Sequence, residues 1–116
     1  MTNVLVVDDN RELAENLAEL VSLEGHGAVA AFGGEDALRK ARRHPFDIAL
    51  VDLCMPDMDG VELARELTRE HPSASYQFVS GYADEELLRD AREFSGSAPW
   101  SKPLPIGLLF ELLASG

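Results

Sequence analysis

The sequence predicts an α/β fold in which five βα units form a doubly wound parallel sheet. Short apolar runs rich in valine alternate with longer segments whose apolar residues recur at helical spacing. Strands that alternate with helices of about 10 to 15 residues are typical of parallel sheets, because each crossover helix covers one face. In the run "DIALVDL" (47–53) apolar side chains point to both faces, so this strand is expected at the centre of the sheet.

The first two units follow from local signals. "NVLVV" (3–7) predicts a strand, and the segment after it carries leucines and a valine on one helical stripe. Asp9 or Asn10 can cap that helix, and Gly25 lies just beyond its end. "GAVAAF" (27–32) predicts a second strand, and "GGEDALRKARRH" (33–44) predicts a helix that Pro45 closes.

The later units are read in the same way. After the central strand, Asp59 begins a helical segment with Glu62 three residues on, which is a capping pattern. The other predicted elements are the strand "SYQFVS" (75–80), the helix "DEELLRDAREF" (84–94), the short strand "APWS" (98–101) and the helix "PIGLLFELLAS" (105–115).

Composition limits the class of protein. With 116 residues the chain is expected to form one domain, residues 1–116. Its 10 basic and 21 acidic side chains give a net charge of −11, which repels nucleic acid and anionic membranes. The only cysteine, Cys54, cannot form an internal disulfide, and the first residues lack the features of a signal peptide. We therefore expect a cytoplasmic protein that binds neither nucleic acid nor membranes.

The stretch "FDIALVDLCMPDMDG" (46–60) contains four aspartates of different expected roles. Asp47 begins the central strand and Asp52 ends it, so they lie roughly 16 Å apart at about 3.3 Å per residue. Asp47 is therefore expected to be structural, Asp57 to belong to a turn and Asp59 to cap a helix. Asp52 lies at the edge where open α/β sheets bind ligands, and its buried charge needs a partner.

Asp8 and Asp9 end the first strand at the same edge as Asp52. An acidic pair alone is equally typical of a helix N-terminus, which favours negative charge. Three converging carboxylates, however, raise one another's pKa unless a cation lies between them. Their oxygens are the ligands that Mg²⁺ prefers, so the sequence predicts a magnesium site.

A hydroxyl and an ammonium group are expected at this edge as well. Ser80 ends the fourth strand and Lys102 follows the fifth, so both can reach the acidic cluster. An aspartate nucleophile, a metal, a lysine and a hydroxyl together suit a transferred phosphoryl group, whose oxygens need positive charge and donors.

These motifs resemble the receiver domain of bacterial two-component response regulators. The resemblance covers the whole chain and rests on four motifs in order: "VVDD", "LVDLCMPDMDG", "VSGY" and "SKP". It implies a flavodoxin-like sheet with strand order 2-1-3-4-5. It also implies a phosphorylation switch, and therefore a signalling protein that assists its own phosphorylation and dephosphorylation rather than an enzyme.

The resemblance assigns roles residue by residue. Asp52 is similar to the phosphoacceptor, which takes its phosphoryl group from a sensor histidine kinase or a histidine phosphotransfer protein. Asp8 and Asp9 resemble the metal-binding pair, and the backbone carbonyl of Cys54 would be a further Mg²⁺ ligand. Lys102 would pair with the acyl phosphate, Ser80 would move toward it, and the peptide bond from Lys102 to Pro103 would be cis.

Two positions depart from the family pattern. Receivers commonly have tyrosine or phenylalanine three residues before the lysine, whereas this chain has Pro99 there and Trp100 after it. Trp100 either replaces that aromatic switch or is a core residue. Cys54 and Tyr82, whose counterparts flank the attacking water, have no carboxylate or amide to orient it, which predicts slow self-dephosphorylation.

The last helix is more apolar than a one-sided stripe requires, with six apolar residues between positions 106 and 113. This predicts either a buried helix end or a dimer or partner surface formed by helix 4, strand 5 and helix 5, as in receivers.

Two alternative functions would use some of the same residues. A magnesium phosphohydrolase of the haloacid dehalogenase type also uses an aspartate nucleophile, but it needs a second aspartate where this chain has Cys54. A degenerate receiver that acts only as a docking module is disfavoured because every acceptor-site residue type is present.

Overall fold

The computed structural model describes residues 1–115, which form five strands and five helices in strict alternation. In chain order these are β1 (Asn3–Val7), α1 (Arg11–Leu23), β2 (Gly27–Ala31), α2 (Gly34–Ala41), β3 (Ile48–Asp52), α3 (Gly60–Glu70), β4 (Ser75–Ser80), α4 (Glu85–Ser95), β5 (Trp100–Ser101) and α5 (Ile106–Ser115). The five predicted βα units are confirmed. Two elements are shorter than predicted: α2 ends at Ala41 instead of continuing to Pro45, and β5 has two residues instead of four.

The strands form one parallel sheet in the order β2-β1-β3-β4-β5, which confirms the fold that the resemblance implied. All five residues of β3 are buried, as expected for a central strand. Alternate side chains of β1 and β3 enter two separate apolar clusters, one on each face of the sheet. Buried residues of α2, α3 and α4 belong to the first cluster, and those of α1 and α5 to the second.

Local side chains begin three of the helices. Asn10, Asp59 and Asp84 each accept a hydrogen bond from the backbone N–H three residues later, which stabilises the first turn. The predicted cap of α3 is thus confirmed, and Asn10 rather than Asp9 caps α1. Asp9 is therefore left for another role at the sheet edge.

The two edges of the sheet differ in chemistry. At the amino edge, Asp47 accepts a hydrogen bond from the backbone N–H of Asn3 at 2.8 Å, which joins β1 to the start of β3 as a structural residue would. At the carboxyl edge β3, β4 and β5 end on Asp52, Ser80 and Ser101, and Asp8 directly follows β1. Within residues 1–115, no helix has both the length and the apolar content needed to cross a bilayer.

Gly60 is expected to be intolerant of a side chain. A Cβ there would lie 2.6 Å from the backbone oxygen of Asp52 and 3.0 Å from Cγ1 of Val51. Gly60→Ala is expected to lower the free energy of unfolding by about 1 to 3 kcal/mol, measured by urea denaturation, because the backbone must shift. Gly107→Ala is the control, since nothing lies within 4 Å of its added carbon. Equal stability of the two variants would contradict this.

Candidate functional site

The ends of four neighbouring strands bring the predicted site residues together. Asp8 and Asp9 follow β1, Asp52 and Ser80 are the last residues of β3 and β4, and Lys102 follows β5. Asp8, Asp52 and Ser80 are buried, whereas Asp9 is exposed. The site is therefore a small polar pocket whose outer rim includes Asp9.

The three carboxylates form one acidic cluster. Asp8, Asp9 and Asp52 each offer an oxygen, and these oxygens all lie within 4.8 Å of one another. One oxygen of Asp8 accepts a hydrogen bond from the backbone N–H of Asn10 at 2.9 Å, which orients the carboxylate. An all-oxygen donor set with excess negative charge fits a hard divalent cation such as Mg²⁺.

Lys102 supplies the positive charge that contacts the cluster. Its Nζ donates a hydrogen bond to Oδ2 of Asp8 at 2.8 Å and lies 3.6 Å from Oδ2 of Asp52. Burial opposes the charged form of Lys102, but the Asp8 hydrogen bond and the Asp52 charge outweigh it and raise the pKa of Lys102. The ammonium group therefore stays protonated at physiological pH.

The backbone around Lys102 also ties it to the sheet. Its N–H donates to the carbonyl of Ser80 at 3.0 Å, and the peptide bond from Lys102 to Pro103 is cis, as the resemblance implied. Lys102 therefore lies at the same edge of the sheet as the aspartates.

The electrostatics of Asp52 differ from those of a surface carboxylate. Burial, with the negative charge of Asp8, raises the pKa of Asp52 to about 6, although Lys102 acts in the opposite direction. Without a second cation, the ionised form of the Asp52 carboxylate is therefore energetically unfavourable. A carboxylate with that need for positive charge is suited to bind a metal ion or to be esterified.

Ser80 has an unsatisfied hydroxyl. Its Oγ is buried and has no hydrogen-bond partner among residues 1–115. A buried hydroxyl without a partner is unfavourable, and here it lies at the edge that holds Asp52 and Lys102. It is thus available to donate to an acceptor that enters the pocket.

The loop after β3 is linked to the loop after β4. The Cys54 thiol donates to the carbonyl of Tyr82 at 2.7 Å, and the Cys54 N–H lies 3.4 Å from an oxygen of Asp52. Burial and the Asp52 charge raise the pKa of the Cys54 thiol, so it is not an activated thiolate. The metal-binding role of the Cys54 carbonyl stays a prediction.

Sequence reasoning missed the contact of Asp57. Instead of serving only the turn, its carboxylate accepts hydrogen bonds from the backbone N–H groups of Gly34 and Glu35 at the start of α2. The available signal was indirect, because "GGED" begins a helix without a local capping side chain.

Trp100 is partly buried and packs on the cluster beneath α1 and α5, together with Leu104 and Leu112. This environment favours the core interpretation of Trp100. Its use as a switch residue stays a prediction.

The sheet order and the residues at its carboxyl edge together define a receiver domain. The chain belongs to the response regulator receiver domain family, whose family model matches residues 4–114. It is 38% identical over 112 residues to a response regulator receiver protein of Anaeromyxobacter sp. (strain Fw109-5), which covers 97% of this chain and 47% of that protein. The response regulator receiver protein CpdR of Brucella abortus (strain 2308) is 30% identical over 101 residues, covering 82% of this chain and 84% of CpdR. The chain thus spans about half the length of the first of these relatives.

Solved structures agree with this assignment. A CheY-like response regulator receiver domain protein of Methanospirillum hungatei JF-1 has a TM-score of 0.89 at 26% identity, covering 99% of this chain and 92% of that one. The response regulator TrrA of Thermotoga maritima, solved in complex with Mg²⁺–BeF, has a TM-score of 0.81 at 27% identity, covering 99% and 98%.

The raised pKa of Asp52 predicts a pH-dependent effect of Asp52→Asn in metal-free buffer. Because the folded pKa of about 6 exceeds the model-peptide value of 3.8, ionised Asp52 destabilises the fold above pH 6. The neutral variant is therefore expected to be more stable than wild type by about 3 kcal/mol at pH 7.5. This difference should shrink as the pH falls from 6 toward 4, where wild-type Asp52 becomes protonated. Urea denaturation of both proteins at pH 7.5 and at pH 4 measures the difference in stability. A difference that does not change with pH would contradict the raised pKa of Asp52.

Proposed function

We propose that this chain is a phosphorylation-dependent signalling switch in which Asp52 accepts a phosphoryl group. The observation that carries the proposal is the position of Asp52, buried at a strand end between two further carboxylates and the Lys102 ammonium. Receiver domains are signalling domains rather than ordinary enzymes, and phosphorylation-dependent signalling is consistent with membership of that family.

Mg²⁺ would be held by the carboxylates of Asp8, Asp9 and Asp52 and by the backbone carbonyl of Cys54. The support for this is the all-oxygen cluster within 4.8 Å and the similarity to TrrA, which was solved with Mg²⁺–BeF. Bound there, the ion would supply positive charge to the carboxylates and to the oxygens of the incoming phosphoryl group.

Asp52 would be the nucleophile. One of its carboxylate oxygens forms a bond to phosphorus while the phosphorus–nitrogen bond of a phosphohistidine breaks. The departing imidazole keeps the electron pair of that bond and takes up a proton from solvent. The partner that supplies the phosphohistidine is a sensor histidine kinase or a histidine phosphotransfer protein, since receiver domains interact with these proteins.

Lys102 and Ser80 would detect the new charge. Lys102 contacts both Asp8 and Asp52, so it can keep one ion pair while it turns to a phosphoryl oxygen. The unpartnered hydroxyl of Ser80 gains an acceptor in the same event. Moving these two groups shifts the ends of β4 and β5, and a local charge is thereby converted into a change of surface.

The surface that changes would be formed by α4, β5 and α5, and would bind a second copy of the chain or a downstream protein. Leu109 and Leu113 of α5 are buried, but Ile106 and Leu108 are 41% and 46% exposed. The apolar excess of this helix is thus divided between core and surface, which supports both interpretations made from the sequence.

The two other functions fit the site less well. A haloacid dehalogenase-type phosphohydrolase would need a carboxylate at position 54. The side chain there is instead the Cys54 thiol, which donates a hydrogen bond to the backbone carbonyl of Tyr82. A docking module without phosphorylation would have no need of the gathered carboxylates, lysine and hydroxyl.

Phosphorylation is tested by incubating the protein with acetyl phosphate or phosphoramidate and Mg²⁺ and then measuring intact mass. Wild type is expected to gain the mass of one phosphoryl group, and Asp52→Asn to gain none. Asp47→Asn is the matched control, because this carboxylate lies at the opposite edge and should leave the reaction intact. A gain of mass by Asp52→Asn, or none by wild type, would overturn the proposal. Light scattering of the same samples reports any change of association.

The phosphorylated protein is expected to lose its phosphoryl group slowly, over minutes or longer. Neither Cys54 nor the exposed Tyr82 presents a carboxylate or an amide to orient an attacking water. Cys54→Asn adds an amide and should shorten the lifetime, whereas Cys54→Ala, the control, should leave it unchanged. Intact mass followed over time measures the decay. A wild-type lifetime of seconds would contradict this expectation.

A further inference from the structure

The carboxylate of Asp57 connects the loop after β3 to the start of α2. Oδ1 accepts from the backbone N–H of Gly34 at 3.1 Å, and Oδ2 accepts from that of Glu35 at 3.0 Å. Both oxygens are therefore used, although the residues lie more than 20 positions apart in the chain. The Glu35 and Gly34 hydrogen bonds lower the pKa of Asp57 in spite of partial burial, so the side chain is charged at neutral pH.

Helix α2 depends on this distant cap because it has no local one. Its N-cap residue is Gly33, which has no side chain and adopts a φ of 151° that favours glycine. The helices α1, α3 and α4 are instead capped by the residue that precedes them. A side chain at Gly34 would collide with Met58. Gly33 and Gly34 thus allow the loop after β3 to approach α2 closely enough for Asp57 to accept hydrogen bonds from the helix.

The same loop carries the residue proposed to complete the metal site. It begins directly after Asp52 and runs through Cys54 to Asp57, five residues along. Its base is closed by a hydrogen bond from the N–H of Gly60 to the carbonyl of Leu53 at 2.9 Å. The Cys54 thiol attaches the loop to the β4–α4 connection, and the Asp57 carboxylate attaches it to α2.

We propose that Asp57 is a positioning residue for the acidic site: by capping α2 it fixes the loop that presents the Cys54 carbonyl to Mg²⁺. The inference rests on the proposed function, because it assumes that the carboxylate cluster binds the metal ion. Asp57 contacts neither the metal ligands nor the reacting atoms, and acts through the conformation of the loop. Fixing a ligand before binding lowers the entropy lost when the ion enters.

The experiment is a calorimetric Mg²⁺ titration of wild type and of three Asp57 variants. Asp57→Ala is expected to weaken Mg²⁺ binding by about tenfold, the lower end of what loss of an outer-shell partner costs a metal site. Asp57→Asn should lie between wild type and alanine, because its one amide oxygen can accept only one of the two backbone hydrogen bonds. Asp57→Glu keeps the charge but displaces the acceptor oxygens, so it should resemble alanine. The rate of phosphorylation by acetyl phosphate at limiting Mg²⁺ should follow the same order.

These variants distinguish the effect of the position of the Asp57 acceptor oxygens from the effect of the Asp57 charge. If Asp57→Glu binds Mg²⁺ as tightly as wild type does, or if Asp57→Asn is weaker than Asp57→Glu, Asp57 acts by its charge alone and the inference is wrong. The Asn and Glu variants decide this even if alanine does not fold. Asp47→Ala is the matched control, because it removes an exposed carboxylate that also accepts a backbone N–H across two elements. It should lower stability without changing Mg²⁺ affinity.

Failure of the inference can be told from failure of the proposed function. If wild type binds Mg²⁺ and is phosphorylated but all Asp57 variants match it, only the positioning role is lost. If wild type binds no Mg²⁺, the metal site itself is wrong and the inference falls with it.

Discussion

The chemistry of the site depends on a concentration of negative charge at one edge of the sheet. Three carboxylates have oxygens within 4.8 Å of one another, and the described residues bring one ammonium, that of Lys102, into contact with two of them. A pocket with this imbalance is incomplete, because buried like charges repel one another unless further positive charge arrives. Both events in the proposed function, binding of a divalent ion and esterification of Asp52, reduce that repulsion. The repulsion among the carboxylates therefore both destabilises the pocket and favours the proposed chemistry.

The sheet provides the rigid support that makes such a pocket possible. Because β3 is covered on both faces, Asp52 cannot turn away from its neighbours, and its carboxylate has to face the carboxyl edge. The adjacent strands β1 and β4 end within one residue of the end of β3, and Asp8 and Ser80 therefore lie at the same edge as Asp52. Precise placement of charged groups is thus a consequence of close packing in two apolar clusters.

The loops that follow the strands are joined to one another by side-chain hydrogen bonds. The Cys54 thiol donates a hydrogen bond to the backbone of the β4–α4 connection. The Asp57 carboxylate accepts hydrogen bonds from the first turn of α2. Neither bond belongs to regular secondary structure, yet each restrains the loop that begins at Asp52. In the proposed function the site responds to one added charge, and these hydrogen bonds connect the loop at that site to α2 and to the β4–α4 connection.

Local signals in the sequence were enough to predict the elements, their alternation and the edge at which the polar residues meet. Apolar periodicity and capping residues are local signals, so α1, α3 and the doubly apolar β3 were predictable, as were the positions of Asp8, Asp9, Asp52, Ser80 and Lys102 at strand ends. Three features could be learned only from the folded structure: Nζ of Lys102 lies closer to Asp8 than to Asp52, Asp57 caps a distant helix, and β5 is short. These features depend on distances between side chains that are far apart in the chain. No periodicity or spacing in the sequence encodes those distances.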